Sequence, residues 1–395
     1  MATFDSVAVL RTNAEREAVL LAPYAMHSIE SAGRKHRESG HAYRGPYQRD
    51  RDRILHSAAY RRLSGKTQVF TDMGDYHRTR LTHTQEVASI SRTIGRALRL
   101  NEDLVEALAL FHDIGHPPYG HAGEDALNGC LSDAGGFSHN QHALAIAEEL
   151  EVRYPGFAGL NLSHEVLEGQ ATRVGRDADS RCPLLEVQVV DVADSITYDA
   201  HDSDDAIKLG ILDLDQLAEI PLVRRLLDRV QRRSSFVDES LLRLALVHEL
   251  IEYQVSDVLR FSGERLLTSG FESAELARRS DFVLSPSPEL TQEKGELEAF
   301  LHQNVYRHPK LLAVRDKAQS RLKQIFASFM ADPKLLPDNV QPRIDRVGIE
   351  RAIGEYLAGM TDRFCDQVHE SVAGGNPQLG IPHSAFRTRN PDLDA

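Results

Sequence analysis

Cysteine is scarce in this chain: three residues in 395, Cys130, Cys182 and Cys365, odd in number and far apart. That usage fits neither a disulfide framework nor a thiolate zinc site, so any metal has to be held by histidine, carboxylate and water. Long apolar runs are missing as well. The longest fall far short of a membrane span, and the amino terminus lacks the basic-then-apolar layout of a signal peptide. The expectation is a cytoplasmic protein with no membrane partner. There is no Gly-rich phosphate loop, no internal repeat and no low-complexity tract, so a phosphate-bearing ligand would have to be handled by a metal and side chains. Alternating strand patterns are scarce too.

Negative charge is in excess, at −13 overall, but it is unevenly spread. Residues 1–82 hold 14 Lys and Arg against 9 Asp and Glu, a net of +5, which leaves −18 for the remainder. The total argues against general nucleic-acid affinity, although a nucleic-acid partner stays possible. An anionic ligand would look to the basic segment, above all YQRDRDRILHSAAYRRLSGKTQVF and HRTRLTH. The alternative for Arg49 to Arg53, which alternate with Asp50 and Asp52, is a self-paired surface.

What is present is mostly helical pattern. The run from His83 places Val87, Ile90, Ile94, Ala97 and Leu98 at helical spacing, and Asn101 reads as the N-cap of the run through Leu104, Leu108 and Phe111. PLLEVQVVDVADSITYDAHDSDDAIKLGIL reads as a helix opening at Pro183. Further helices are expected over 239–266, 289–303, 311–330 and 347–370. Joints are expected near TRVGRDADSRCP, across 280–295, and in the Gly/Pro-rich tail from Gly374.

The densest chemistry lies in ALALFHDIGHPPYGHAGEDAL, which carries His112, Asp113, His116, His121, Glu124 and Asp125 within about one helix and turn. A second set, Asp191, Asp194, Tyr198 and Asp202, shares one face of a helix. Such a stripe is also what a solvated surface looks like. Here the same helix is rich in Leu, Val and Ile, and buried carboxylates need a cation or donors. Candidate metal ligands are therefore His83, His112, Asp113 and a carboxylate of the 191–202 helix. Two imidazoles and two carboxylates suit a divalent ion of intermediate softness better than Ca.

His83, the HD pair at 112 and 113, and Asp194 resemble the metal-binding pattern of the HD-domain phosphohydrolases. More closely, RDRILHSAAYRRLSGKTQVF, RTRLTHTQEVASISRTI, FHDIGHPPYGHAGEDAL, FSHNQHAL, VADSITYDAHD and YLAGMTDRF resemble the deoxyguanosinetriphosphate triphosphohydrolase-like (dGTPase-like) family, in family order from about residue 46 to 365. The resemblance implies an all-α fold with an HD-domain helical core and additional N- and C-terminal helices. The organisation expected is a basic segment contributing to the nucleotide site (1–74), the HD core (75–205), a C-terminal helical region packed on it (206–372) and a flexible tail (373–395).

The implied activity is hydrolysis of a deoxynucleoside triphosphate to deoxynucleoside and tripolyphosphate. The implied metal ligands are His83, His112, Asp113 and Asp194, for a divalent ion (Mn, Mg, Co, Fe, Ni or Zn) that the sequence does not identify. His121 and Glu124 map to a catalytic histidine and its acidic partner. Similarity to the animal SAM-and-HD-domain dNTPases implies Gln68, Tyr198 and Asp202 at the sugar, Arg80 and His116 near the α-phosphate, and His139 as a further contact. This chain has no recognisable SAM domain, and it has His116 in GHPP where some bacterial dGTPases carry Asn. A homo-oligomer, from dimer to hexamer, is expected from the resemblance. The alternatives are an HD-domain 5′-nucleotidase or phosphodiesterase, and a non-catalytic nucleotide or single-strand nucleic-acid binder. Both His121 and Glu124 are present, which favours an enzyme, because binding alone needs no proton-transfer pair.

Overall fold

A computed structural model describes residues 11–41, 43–69, 78–175, 181–233 and 238–373. Among these residues the chain is all-α: eighteen α-helices and no strand, with isolated bridges only, one of them joining Thr67 to Thr79. The expected joint at 176–180 and the tail from Gly374 lie outside the described residues. No helix is long and apolar enough to cross a membrane among the residues described.

Helices α1 (Asn13–Leu20), α2 (Pro46–Leu55) and α3 (Ala58–Arg62) lead into the pair α4 (Arg80–Ala97) and α5 (Glu102–Phe111). Asn101 caps α5 by accepting from Leu104 N, as the sequence suggests, whereas α4 starts at Arg80, three residues before the expected run from His83, with the Thr79 hydroxyl accepting the Thr82 N–H. After α5 come α6 (Gly120–Cys130), α7 (His139–Ala145), α8 (His164–Val174) and the long α9 (Leu185–Lys208). Helix α9 does not open at Pro183. Leu184 is extended, and the Pro183 carbonyl accepts from the Gln188 side chain instead of from a helical N–H. Together α4, α5 and α9 enclose an apolar core containing Val87, Ile94, Leu104, Leu108, Phe111, Val189 and Ile196.

The remaining helices are α10 (Leu214–Leu217), α11 (Pro221–Arg233), α12 (Glu239–Ser269), α13 (Ala274–Arg279), α14 (Pro288–Leu301), α15 (Pro309–Ala331), α16 (Gln341–Val347), α17 (Ile349–Ala358) and α18 (Asp362–Ala373). A second core joins α6 to α15, α17 and α18 through Leu127, Leu322, Ile325, Phe329, Ile353 and Leu357. A third gathers the end of α9 with α11, α12 and α14. Between α14 and α15 the backbone makes a π turn over His302–Tyr306, and Pro309 then starts α15.

Two expectations are corrected here. Residues 280–295 are not a loose joint: Phe282 and Leu284 are buried, Leu284 N–H donates to Gln188, Ser287 N–H donates to Asp257, and α14 begins at Pro288. Apolar side chains and satisfied backbone donors outweigh the Ser/Pro composition. The 347–370 pattern is not one helix either, because α17 ends at Ala358 and α18 starts at Asp362. The basic segment divides in the same spirit. Arg49 and Arg53 both pair with Glu38, Arg34 with Asp50 and Arg51 with Glu106, so the self-paired reading holds for that run.

Candidate active site: a buried His/Asp cluster beside a cleft

Helix α5 stops at Phe111 because Gly115 and the Pro117-Pro118 pair cannot continue it. His112 and Asp113 are thereby left at a helix end that leads into a tight turn, facing α4 and α9. His83 on α4, His112 and Asp194 on α9 converge: His83 Nε2 lies 3.0 Å and His112 Nε2 3.7 Å from Asp194 Oδ1, and His112 Nε2 lies 3.6 Å from Asp113 Oδ1. Donors around one ion at about 2.1 Å sit roughly 3.0–3.5 Å from one another. His83, His112 and Asp194 are close enough together to share an ion after small adjustment, whereas the Asp113 oxygen groups with His116 and His139.

The tautomer agrees with that reading. His112 Nδ1 is 2.6 Å from the Ala109 carbonyl, which can only accept, so Nδ1 carries the proton and Nε2 presents a lone pair. That Nε2 is buried without a hydrogen-bond partner, and burial lowers the imidazole pKa, which keeps the ring neutral. A divalent cation would satisfy it. His83, His112 and Asp113 are nearly closed to solvent, whereas the Asp194 side chain is 40% exposed, so the cluster opens on the Asp194 side. Burial alone would raise the Asp194 carboxyl, but His112 and His83 hold it below the usual range.

Asp113 is held from behind. Arg80 Nη1 donates to its Oδ2 at 2.7 Å, and His116 Nε2 lies 3.1 Å from its Oδ1. Burial opposes ionisation of Asp113, yet the Arg80 guanidinium and its histidine neighbours keep its pKa far below the ordinary value. Burial and the same guanidinium press the His116 pKa well down, so the ring is neutral, donates from Nε2 to the carboxylate, and leaves Nδ1 buried without a partner. Arg80 is itself fully enclosed, and its Nη2 donates to the Gln68 carbonyl at 3.3 Å. It therefore acts in this structure as the support of Asp113.

The turn after His116 brings up a second group of side chains. Gly115 permits it: a Cβ there would lie 2.0 Å from the His139 carbonyl oxygen, so only glycine lets the turn press against α7. His139, the first residue of α7, consequently stacks on His116 with ring centroids 3.8 Å apart. Glu124 on α6 accepts the His139 backbone N–H and meets His139 Nδ1, both at 2.8 Å, while its other oxygen lies 3.4 Å from His121 Nδ1. Glu124 thus has two histidine partners, and His139 is the closer. Burial would raise its carboxyl, but these bonds hold it far below the usual carboxylate range.

His121 stands on the wall of a cleft of about 410 Å³ whose other walls include Gln68, Tyr198, His302, Tyr306, Lys310 and Arg315. Gln68 lines the cleft, and its Oε1 is buried without a hydrogen-bond partner. The Tyr198 and Tyr306 rings stack at 5.9 Å, and the Tyr306 hydroxyl bonds to the Asp202 carboxyl. Burial and nearby Asp205 raise the Asp202 pKa well above normal. The twelve residues given roles from the family resemblance therefore fall into one connected region, whereas Asp191, on the same face of α9, pairs with Arg173 and lines a different cavity. Missing from the sequence reading are His302, Tyr306, Lys310 and Arg315. Their only local signal is the His/Tyr pair at i, i+4 in HQNVYRHPK, about a hundred residues beyond the HD pattern.

The turn itself carries strain. Tyr119 adopts a left-handed backbone (φ 61°), which costs a non-glycine residue about 1–2 kcal/mol. Its N–H donates to Asp362 Oδ1 at 2.9 Å, and a hydrogen bond to a charged group is worth about 1.5–3 kcal/mol net. The bond is large enough to hold the turn.

Comparison with known proteins agrees with this geometry. The HD domain family matches residues 80–199, and the phosphohydrolase-associated domain family matches residues 284–371. A protein of Thiobacillus denitrificans named deoxyguanosinetriphosphate triphosphohydrolase-like is 42% identical over 364 residues, covering 89% of this chain and 96% of its own. Proteins of the same name from Geobacter metallireducens (42% over 356 residues; 87% and 92% covered) and Leptospira interrogans (39% over 372 residues; 91% and 97% covered) are similar throughout as well.

Proposed function

The chain belongs to the deoxyguanosinetriphosphate triphosphohydrolase-like family of HD-domain phosphohydrolases, and from that premise we propose that it hydrolyses deoxynucleoside triphosphates, dGTP among them, to deoxynucleoside and tripolyphosphate. The observation that carries this reading is the junction of two features. A buried His/Asp cluster with a ligand-ready His112 Nε2 lies one helical turn from Tyr198, on the wall of a cleft that also displays His121.

In this reading His83, His112, Asp113 and Asp194 hold a divalent ion. When bound, the ion supplies Lewis-acid charge at the α-phosphate and makes water more acidic. The protein's own groups do the rest. Arg80 fixes Asp113. His116 presents Nδ1 towards the α-phosphate region. Lys310 and Arg315, on the cleft wall, offset the polyphosphate charge. His121, oriented by Glu124, gives or takes the proton at the leaving oxygen or the attacking water, and His139 braces both His116 and Glu124. Gln68 Oε1 accepts from the 3′-hydroxyl, Asp202 joins it through Tyr306, and the Tyr198 ring closes the space at C2′ against a ribose hydroxyl.

Ion-exchange separation of the products from each dNTP and from GTP, with Mg, Mn and Co supplied separately, tests the reading. Tripolyphosphate is the expected phosphate product. Orthophosphate or pyrophosphate as the sole first product would overturn it.

A further inference from the structure

The stretch YLAGMTDRF contributes no residue to the chemistry above, yet one of its side chains bonds to two segments that carry site residues. Asp362 opens α18 in the region matched by the phosphohydrolase-associated family, 243 residues beyond Tyr119. Its carboxylate is divided between two segments. Oδ1 accepts the Tyr119 N–H at 2.9 Å, and Oδ2 accepts both the Thr67 N–H at 2.9 Å and the Thr67 hydroxyl at 2.6 Å. The neighbouring Lys66 makes a parallel tie, its Nζ donating to the His116 carbonyl at 2.5 Å and to the Ala358 carbonyl at 2.9 Å.

The segment so gripped is short and otherwise irregular. Residues 66–68 also bond to the start of α4, with Arg80 N–H donating to the Lys66 carbonyl and Gln68 N–H to the Arg78 carbonyl. Gln68, Arg80 and the pair His116 and His121 therefore lie on three stretches of chain, and Asp362 accepts from two of them, 66–68 and 116–121. The left-handed Tyr119 immediately precedes α6, so the angle at which α6 presents His121 and Glu124 depends on that residue keeping its conformation.

We propose that Asp362 is a positioning residue of the hydrolytic site: by bonding Tyr119 and Thr67 at once it sets the place of His121 and Glu124 relative to the metal-binding cluster, which makes the C-terminal region a working part of the site. This rests on the hydrolase reading above, which gives His121 its part. An asparagine cannot replace the carboxylate. Whichever way its amide is turned, an NH₂ faces one of the two backbone N–H groups, and one bond is lost. Because the metal-binding side chains are supported elsewhere, the damage should fall on kcat and not on metal content.

The test uses the full-length, metal-loaded chain with Asp362→Asn and, in case that variant folds poorly, Thr67→Val, which removes only the hydroxyl bond. Thr67→Ser serves as the conservative rescue. Two readouts are taken: steady-state kinetics on dGTP, and hydrogen–deuterium exchange of peptides covering 66–69 and 116–121. Displacements near 1 Å cost up to about 10²-fold in rate, so Asp362→Asn is expected to lose roughly 10-fold or more in kcat with KM and bound metal little changed. Thr67→Val should lose less, and Thr67→Ser should match wild type. Exchange should quicken in those two peptides and stay unchanged in α4 and α9. An unchanged kcat in correctly metallated Asp362→Asn, or unchanged exchange at 116–121, would overturn the positioning role. If wild type hydrolyses no dNTP, the hydrolase reading fails, and the exchange result alone decides whether Asp362 holds the turn.

Discussion

The two halves of the site are built by different means. The half proposed to bind metal, His83, His112, Asp113 and Asp194, hangs on α4, the end of α5 and α9, three helices that share one apolar core. The half proposed to transfer protons, His116, His121, Glu124 and His139, hangs on an irregular turn and two helix beginnings, and its backing comes from the second core and from Asp362. His83 and His112 are nearly closed to solvent while the His121 side chain is 66% exposed. A buried cluster on helices holds its geometry through periodicity and packing. An exposed histidine after a turn keeps its place only through contacts that come from far along the chain.

The comparison breaks most sharply if ligand loss is mild. His112→Ala and Asp113→Ala should each abolish measurable turnover, a loss on the order of 10³-fold or more, together with bound metal. In Asp113→Ala the buried Arg80 also loses its partner, an effect of about 3–5 kcal/mol for a broken buried pair. Metal analysis of the purified variants beside initial rates checks both, and full metal with full activity would remove these residues from the site.

His121→Ala and Glu124→Gln should act on the other half alone. The expected outcome is retained metal and substrate binding with kcat lower by about 10²-fold, the usual size of acid–base assistance. Glu124→Gln should also disturb His139, its nearer partner. A change confined to KM would contradict the assignment.

A smaller effect is expected at the sugar end. Tyr198→Ala should narrow the dGTP to GTP ratio in kcat/KM by roughly 10-fold, within the limit of about 10² that exclusion of one hydroxyl provides. Asp202→Asn should weaken deoxy substrates by disturbing the Tyr306 bond. An unchanged ratio in Tyr198→Ala would move sugar selection elsewhere in the cleft.

The smallest effect concerns stability. His142, whose Nδ1 donates to the Gly115 carbonyl, is buried, and burial pushes its pKa from 6.5 to about 3. The folded chain keeps it neutral while the unfolded chain takes up a proton below about 6.5. Its contribution is therefore complete above pH 6.5 and is lost as pH falls towards 3. His142→Asn, which keeps a donor for Gly115, should flatten the fall of the urea midpoint over that range by at most one proton's worth of slope.

Legibility from sequence divides along the same line. The convergence of His83, His112 and a carboxylate of the 191–202 helix could be read locally, because helical spacing lines those acids along one face and because the Asn101 cap and the Gly-Pro-Pro stop frame the HD pair, while the choice of Asp194 comes from the family resemblance. The Asn101 cap, the existence of α4 and α5 and the lack of strands among the described residues were legible for the same local reason, although α4 begins three residues before His83. The share of Glu124 between His121 and His139, the support of Asp113 by Arg80, and the part of Tyr306 all depend on residues brought together only by folding. Residues 280–295 misled for the complementary reason: their Ser/Pro composition describes a loop, and only the positions of Gln188, Asp257 and Ser262 on neighbouring helices decide that it is packed.

The π turn at His302–Tyr306 bears on which length changes this chain can tolerate. Five residues there occupy what an α-helix would cover with fewer, so the turn stores an extra residue between α14 and α15. Deleting a single residue from it would return the turn towards α form and shift Tyr306 against Asp202, because the chain leaves helix at Arg307 and His308 and does not carry one helical phase into α15. Tyr306 would then leave Asp202 and the cleft. A one-residue gap at this point in a related chain is thus a more telling change than many substitutions, and a relative that carries one is expected to lack the Tyr306–Asp202 bond.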